Sequence, residues 1–419
     1  MKKLIALVMS VLILTGCSGI ANKDNIMSLL SSPKLSERES EIVDSIKEYL
    51  GQDIILKYPK QGNNISPVQM VDLTGDGKEE AVVLYVAPSN GNNVRIAVLS
   101  DEDKNWQVIY DNEGFGKSVY SIQFDSINKT KPNQILVGYT FADTSEKFLT
   151  IYSFNDDNSV DFHTLPCQDY VVHDVTQDGM GDLVLASLNG EKKNTNIQVF
   201  SSTEDGTFSV MAEKKLNVPN AQVTGIAFSK NDFSENEAII VDYYDSYHRV
   251  STQGMYYDEG ELVTILDPEA VQKIWAYDYS LNSMDVDGDG YYETPSIIDD
   301  ETSRSPDIKL MEWTNFLMET PERKYFGICN ALAGTFFPLP DEWQNYISID
   351  GNEKSWSVSK SSDGKELVKF EVVSYGEEFL LEENQQLVNS GTLQIKLTFD
   401  ESVSNSQQKY ICDGFIYLK

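Results

Sequence analysis

Three segments of this chain follow one template: VDLTGDGKEEAVVL from Val71, HDVTQDGMGDLVLA from His173 and MDVDGDGYYETPSI from Met284. Their leading aspartates are Asp72, Asp174 and Asp285, and a weaker copy stands midway in each interval. One reads VYSIQFDSINKTKPNQILVGY, with Gln123 in the aspartate's place; the other reads VTGIAFSKNDFSENEAIIVDY, with Ala227 there. The successive spacings are 51, 51, 53 and 58 residues. Self-similarity at a period of this size limits the chain to architectures in which like units stack on one another.

The content of each unit narrows the choice. In the first, Val68–Leu73, Ala81–Ala87, Val94–Leu99 and Trp106–Tyr110 read as strands, parted by turn-rich SNGNN and SDEDKN. Four short strands per ~50-residue repeat is the pattern of a β-propeller blade. Five copies give a five-bladed propeller, or part of a larger one. The remaining strands of the fifth unit are expected near Ile308–Phe316 and Lys324–Asn330.

These repeats resemble the FG-GAP or VCBS family, which builds integrin-α-type propellers with calcium in the blade loops. The resemblance runs from about Val68 to Asn330, and it is carried by the three intact motifs. The loops themselves show why a cation suits them. Asp72, Thr74, Asp76, Lys78 and Glu80 occupy positions 1, 3, 5, 7 and 9, with Gly77 at 6. Asp174, Thr176, Asp178, Met180 and Asp182 repeat the pattern around Gly179, and Asp285, Asp287, Asp289, Tyr291 and Glu293 repeat it around Gly290. Calcium takes six to eight hard oxygen ligands from carboxylates, carbonyls and water, and a glycine at position 6 permits the sharp turn. Position 7 offers its backbone carbonyl. The last acid comes at position 9 rather than 12, and no helices flank the loop, which separates it from an EF-hand.

With four acids, the fifth-unit loop is the richest in ligands. An Asp-Gly turn capped by its own side chain would explain one aspartate and one glycine per loop, but leaves the acid at position 9 without a role. In the weaker units Asp125 with Asn128, and Asp232 with Glu235, lack the spacing, so no metal is expected there.

The chain begins Met1-Lys2-Lys3, followed by an apolar run from Leu4 to Leu14 broken only by Ser10. That run is shorter than the roughly 20 residues a membrane span needs and fits the core of a secretory signal. It closes on LTGC, which resembles the lipobox of bacterial lipoproteins. The resemblance implies cleavage before Cys17 and a diacylglycerol on its sulfur, and two acyl chains anchor stably where one does not. Membrane attachment through Cys17 on the extracytoplasmic face is therefore expected.

The expected organisation is a signal peptide over 1–16, a tether over 17–34, a helix and lead-in over 35–67, the propeller over 68–330, and a small C-terminal α+β domain over 331–419. The helix is LSERESEIVDSIKEYL, with Ser36 as cap, Glu39 three residues on, and Ile42, Ile46 and Leu50 on one face. In the last part, stretches including QQKYICDGFIYLK read as strands around a shorter helical or loop segment near Glu377–Val388. The fold class expected is mainly β.

Composition narrows the function. With 66 acidic against 33 basic residues the net charge is −33, which disfavours a phosphate-backbone partner, so no nucleic acid is expected. Beyond Cys17 the cysteines are Cys167, Cys329 and Cys412, an odd number that excludes a disulfide-built scaffold. A Cys329–Cys412 bridge stays open beside three free core thiols. His163, His173 and His248 are the only histidines, and none has the spacing of a zinc site. His173 reads as structural. No GxSxG elbow or phosphate-binding glycine loop occurs, and Glu377 with Glu378 and Glu382 with Glu383 read as solvated surface.

Aromatic residues gather in VDYYDSYHRV, MYYD and WAYDY (241–279), where core packing is the default and a ligand face in the fourth unit the alternative. No catalytic residue or cofactor other than structural Ca²⁺ is expected, and the chain does not read as an enzyme. The leading expectation is a calcium-stabilised binding module for an unknown protein or glycan. A structural accessory of an envelope complex, or a glycan-active enzyme, are the alternatives.

Overall fold

The computed structural model describes residues 35–102, 105–130, 133–141, 147–155, 159–189, 194–204, 206–244, 249–266, 274–275, 281–298, 308–374, 380–390 and 393–418. The expected leader and tether, Cys17, His248, Glu377 and Glu378 lie outside them. The chain is mainly β, with antiparallel sheets that follow one another in sequence.

Helix α1 (Glu37–Leu50) opens the described part. Ser36 and Glu39 form a reciprocal capping box, and Gly51 closes the helix at φ +66°. Its buried side chains are Ile42, Val43 and Ile46. They pack on Ala81, Val83, Tyr85, Leu99 and Trp106 of the first sheet.

The first sheet contains Val68–Val71, Glu80–Val86, Arg95–Glu102 and Asn105–Glu113, with the short strand Ile55–Leu56 on its edge. The second comprises Ser118–Asp125, Gln134–Thr140, Lys147–Phe154 and Val160–Cys167. Asp169–His173, Asp182–Asn189, Asn194–Ser202 and Phe208–Pro219 form the third. The fourth runs through Gln222–Ser229, Ala238–Tyr244, Arg249–Asp258 and Glu261–Leu266, with Ile274–Trp275 added. In the fifth, the opening strand shrinks to the bridge between Met284 and Glu293, followed by Thr294–Ile297, Ile308–Asn315 and Glu322–Asn330. This sheet continues past residue 330 through Thr335–Pro338 and takes Ile416–Tyr417 onto its edge.

The first four sheets pack face to face in sequence order, and the fourth then meets the segment after Asn315. Val82, Leu84 and Val98 meet Val119, Ile135 and Tyr139 between the first and second. Leu136, Leu149 and Ile151 meet Leu183, Leu185 and Phe200 between the second and third. Val184, Ile197 and Val199 meet Ile239, Val241 and Met255 in the next core, and Ile240 and Leu266 meet Leu317 after that. Alternate residues of one strand therefore serve two cores, as Val82 and Val83 do. A strand covered on both faces reads as an unbroken apolar run, and EAVVLYV is buried along its whole length. Tyr243 and Tyr257 belong to the core between the third and fourth sheets, so these rings of the aromatic-rich stretch fill an interface.

The far face of the fifth sheet is covered by a sixth, ordered Ile347–Gly351, Ser355–Lys360, Glu366–Val373, Leu393–Phe399 and Gln385–Ser390. Trp356 stacks on Phe370 at 5.3 Å within this shared core. Two expectations for the C-terminal part are corrected. QQKYICDGFIYLK is mostly helix α2 (Asn405–Asp413), because Ser404 and Gln407 make a capping box and Ile411 is buried against the sheet. Gln385–Val388, the end of the stretch expected to be helical or loop, belongs to the edge strand Gln385–Ser390, which pairs antiparallel with Leu393–Phe399.

The register of the two weaker units is also corrected. In all five sheets the residue before the loop pairs with the one nine positions later: Val71 with Glu80, Asp125 with Gln134, His173 with Asp182, Ser229 with Ala238, and Met284 with Glu293. Position 1 of units two and four is thus Ser126 and Lys230, three residues after Gln123 and Ala227. Strand pairing, which the sequence leaves implicit once the acids are gone, fixes it.

Candidate metal centre

The three intact loops share one hydrogen-bonded frame. At position 1, Asp72 accepts from the N–H of Gly75 (2.7 Å) and Gly77 (3.0 Å). Asp174 accepts from Asp178 (3.1 Å) and Gly179 (3.0 Å). Asp285 accepts from Gly288 (2.7 Å), Asp289 (3.1 Å) and Gly290 (3.0 Å). At position 5, Asp76, Asp178 and Asp289 each accept the N–H of position 7, which belongs to Lys78, Met180 and Tyr291 respectively. Positions 4 and 6 take the left-handed conformation, supplied by Gly75 and Gly77 and by Gly288 and Gly290. The third loop places Gln177 at φ +57° beside Gly179, a conformation unfavourable for a residue with a Cβ.

Position 9 ties the loop to the strand that follows. Glu80 accepts the N–H of Leu73 at 2.9 Å, Asp182 that of Val175 at 2.9 Å, and Glu293 that of Val286 at 3.0 Å. The weaker second unit does the same with a neutral side chain, Gln134 accepting from Ile127 at 2.8 Å. The acid at position 9 therefore has a turn-closing role apart from any metal, contrary to the expectation that a turn leaves it unexplained.

What the acids add is charge in a buried place. Glu80, Asp182 and Glu293 are all buried. Burial raises the pKa of Glu80 and of Asp182 above the ordinary carboxylate range. For Glu293 burial comes first, and the charges of Asp287, Asp289 and Asp285 push further in the same direction, to about 7. One of its oxygens, Oε1, is buried and accepts no hydrogen bond. Asp285, Asp287 and Asp289, whose charges it feels, each bring a carboxylate oxygen within 4.8 Å of the other two, and Glu293 stands outside that trio. Among the described residues this trio is the cluster of acids that converges so closely, and it can hold a metal ion. Thr74 and Thr176 stand at position 3 in the other two loops, where the fifth has Asp287.

Lysines from neighbouring segments reach these acids, and motif spacing gave no sign of them. Lys324 places Nζ 2.9 Å from Asp289, 3.4 Å from Asp287 and 3.3 Å from Glu322. Lys230, at position 1 of the weaker fourth unit, donates to the carbonyl of Asp289 at 2.6 Å. Lys129, from the weaker second unit, lies 2.9 Å from Asp178 and 2.8 Å from Glu204. Partial burial works against ionisation of Asp289, but Lys324 and the Tyr291 N–H outweigh it and hold the pKa below its ordinary value. The one advance signal was a lysine at position 1 of unit four, legible only in the corrected register.

The other singled-out residues lie apart from this centre. His173 stacks on Phe228 at 3.9 Å and bonds Glu237 at 2.5 Å, linking the third sheet to the fourth unit. His163 lies on the outer strand of the second sheet. Glu382 and Glu383 are exposed. Cys167, Cys329 and Cys412 are free thiols, so a Cys329–Cys412 bridge does not form.

Comparison with known proteins adds little. No family model matches the chain, and no curated protein matches it. Among solved structures, a candidate 6-phosphogluconolactonase from Bacteroides fragilis aligns over 75% of this chain and 92% of that one. The identity is 10% and the TM-score 0.28, a likeness too slight to carry an argument about fold or activity. No helix among the described residues is long and apolar enough to cross a membrane.

Proposed function

We propose that this protein is a calcium-stabilised binding module of β-propeller type, held by lipid on Cys17 at the extracytoplasmic face of the membrane. The observation that carries the calcium reading is Glu293: a buried carboxylate with an unpartnered oxygen, in the electrostatic field of three convergent aspartates of the same loop. Burying an ionised carboxylate is unfavourable unless a counter-charge compensates it. A doubly charged ion that prefers oxygen suits Asp285, Asp287, Asp289, Glu293 and the Tyr291 carbonyl, with water completing the shell. The loops at Asp72 and Asp174 repeat the same frame with one acid fewer.

The propeller reading draws on five blade-like sheets, of which the first four pack on one another in sequence order. Calcium in this reading is structural: it holds the loop closed and makes the sheet ends rigid. The anchor rests on the leader and the LTGC sequence. A binding role follows from a rigid, surface-held scaffold, since loops on such a frame are where ligands dock.

The test uses the soluble form from Ser18 to Lys419. Its melting temperature should rise in calcium relative to chelator, by the equivalent of about 2.7 kcal/mol when free calcium is a hundredfold above Kd. Equal melting in both conditions sinks the calcium reading. Cys17→Ser in the full precursor should move the protein from the membrane to the soluble fraction; unchanged fractionation sinks the anchor.

A further inference from the structure

The second unit has exchanged a metal-loop acid for an amide, and a cleft lies at that point. Gln134 keeps the position-9 bond, its carbonyl oxygen accepting from Ile127, and this fixes which way the amide is turned. The NH₂ group then faces elsewhere, and Nε2 has no partner although Gln134 is fully buried. Buried amide donors are seldom left so. Gln134 lines an open cleft of about 410 Å³ between the second and third sheets. Ser153, Asp161, Phe162 and His163 of the second sheet and Phe208 of the third line it too.

Contacts across the cleft tie its two sides together. Asn128 donates to the carbonyl of Gly206 at 3.0 Å, and a Cβ at Gly206 would stand 2.5 Å from the Thr130 hydroxyl. Lys129 joins the same loop to Glu204 and to Asp178 of the third-unit motif. Phe208 stacks on Phe200 at 5.5 Å. Gln134 Nε2 has no exposed surface, so a ligand in the cleft reaches it through a small side-chain movement in the wall.

The lining selects a ligand class. An orphan donor calls for an acceptor, but Asp161 in the lining and a net charge of −33 disfavour an anion. Phe162 shows 54% of its surface, an aromatic face that can pack against C–H groups. Asp161, already accepting from Asn155 at 3.1 Å, is an acceptor for hydroxyl donors. A neutral molecule with hydroxyls that both donate and accept, and with an apolar face, meets all three demands. We propose that this cleft binds a neutral saccharide unit, with Gln134 donating to a hydroxyl oxygen, Asp161 accepting from a hydroxyl, and Phe162 packing on the sugar ring. This gives the binding-module reading above its ligand and rests on that reading.

The test measures binding of maltotriose, cellotriose and chitotriose to the Ser18–Lys419 form in calcium, by saturation-transfer NMR and calorimetry. Phe162→Ala removes an exposed ring, and Gln134→Glu keeps the acceptor for Ile127 while removing the donor. At least one oligosaccharide should bind, and each variant should weaken it tenfold or more. If none of the three binds, or if the bound one is held equally well by both variants, the assignment is overturned. Should Gln134→Glu lower the melting temperature, Phe162→Ala decides alone. The calcium-induced rise in melting temperature, recorded on the same samples, reports separately on the metal reading.

Discussion

Lys324 holds its ammonium nitrogen 2.9 Å from a carboxylate oxygen of Asp289 and 3.4 Å from one of Asp287, two of the three acids of the fifth-unit cluster. The loop thus carries a tethered cation of its own, provided by the strand Glu322–Asn330 of the same sheet. A lysine so placed repels an incoming metal ion and partly substitutes for it.

Lys324→Met should therefore raise the calcium affinity of this loop about threefold to tenfold, on the order of 1 kcal/mol for a charge pair near the surface. The same variant should melt lower than the parent in chelator. Calorimetric titration and thermal melts check both; unchanged affinity would show that Lys324 does not oppose the ion.

Glu293→Gln copies what unit two does with Gln134. The Val286 N–H keeps its acceptor, so the fold should persist while the rise in melting temperature with calcium shrinks. The sign of the pH effect follows from the raised pKa, about 7 against an ordinary 4.5. The folded state binds the proton more tightly, so this contribution is full below about pH 4.5 and is lost as the pH rises through about 7. In chelator the parent should lose stability across that window, and the glutamine variant should lose less. Parallel pH profiles of parent and variant would contradict this.

Gln177→Gly should stabilise the third loop. Gln177 stands at φ +57° where its counterparts are Gly75 and Gly288. Relief of about 1–2 kcal/mol of left-handed strain is offset by the glycine's added freedom in the unfolded chain and by loss of a 3.3 Å bond to the Glu235 carbonyl. The net gain should be roughly 0.5 kcal/mol, visible as a small upward shift in a thermal melt. A lower melting temperature would mean that the bond to Glu235 outweighs the strain.

The native protein should contain no disulfide among Cys167, Cys329 and Cys412. Burial pushes the first two thiols up to about 12 and the third to about 11, which leaves little thiolate. Intact mass should not change on reduction. Labelling with a thiol reagent should be slow in the native state and reach all three on unfolding; rapid labelling of Cys329 would contradict its burial.

Much of this architecture lies in the sequence because its determinants are local. Ser36 with Glu39 announces the start of α1, since a capping box needs only residues three apart. The strands of the first unit show in short apolar runs parted by turn residues, and the acids at Asp72, Asp174 and Asp285 mark loops whose frame is built from near neighbours. Helix α2 carries the same capping signal at Ser404 and Gln407, but the aromatic and β-branched residues of KYICDGFIYL suit a strand equally well, so local pattern does not decide it.

Tertiary structure decided what depends on other segments. The register of units two and four comes from strand pairing, Asp125 with Gln134 and Ser229 with Ala238, which no residue announces once the acids are gone. Lys324, Lys230 and Lys129 meet the acid loops across 35, 59 and 49 residues of chain, so their role as counter-charges arises only when the sheets pack. The orphan amide of Gln134 and the spare oxygen of Glu293 have the same origin. Local spacing places a polar side chain at position 9, but only packing from the adjoining sheets removes water from it and leaves one atom in need of a partner.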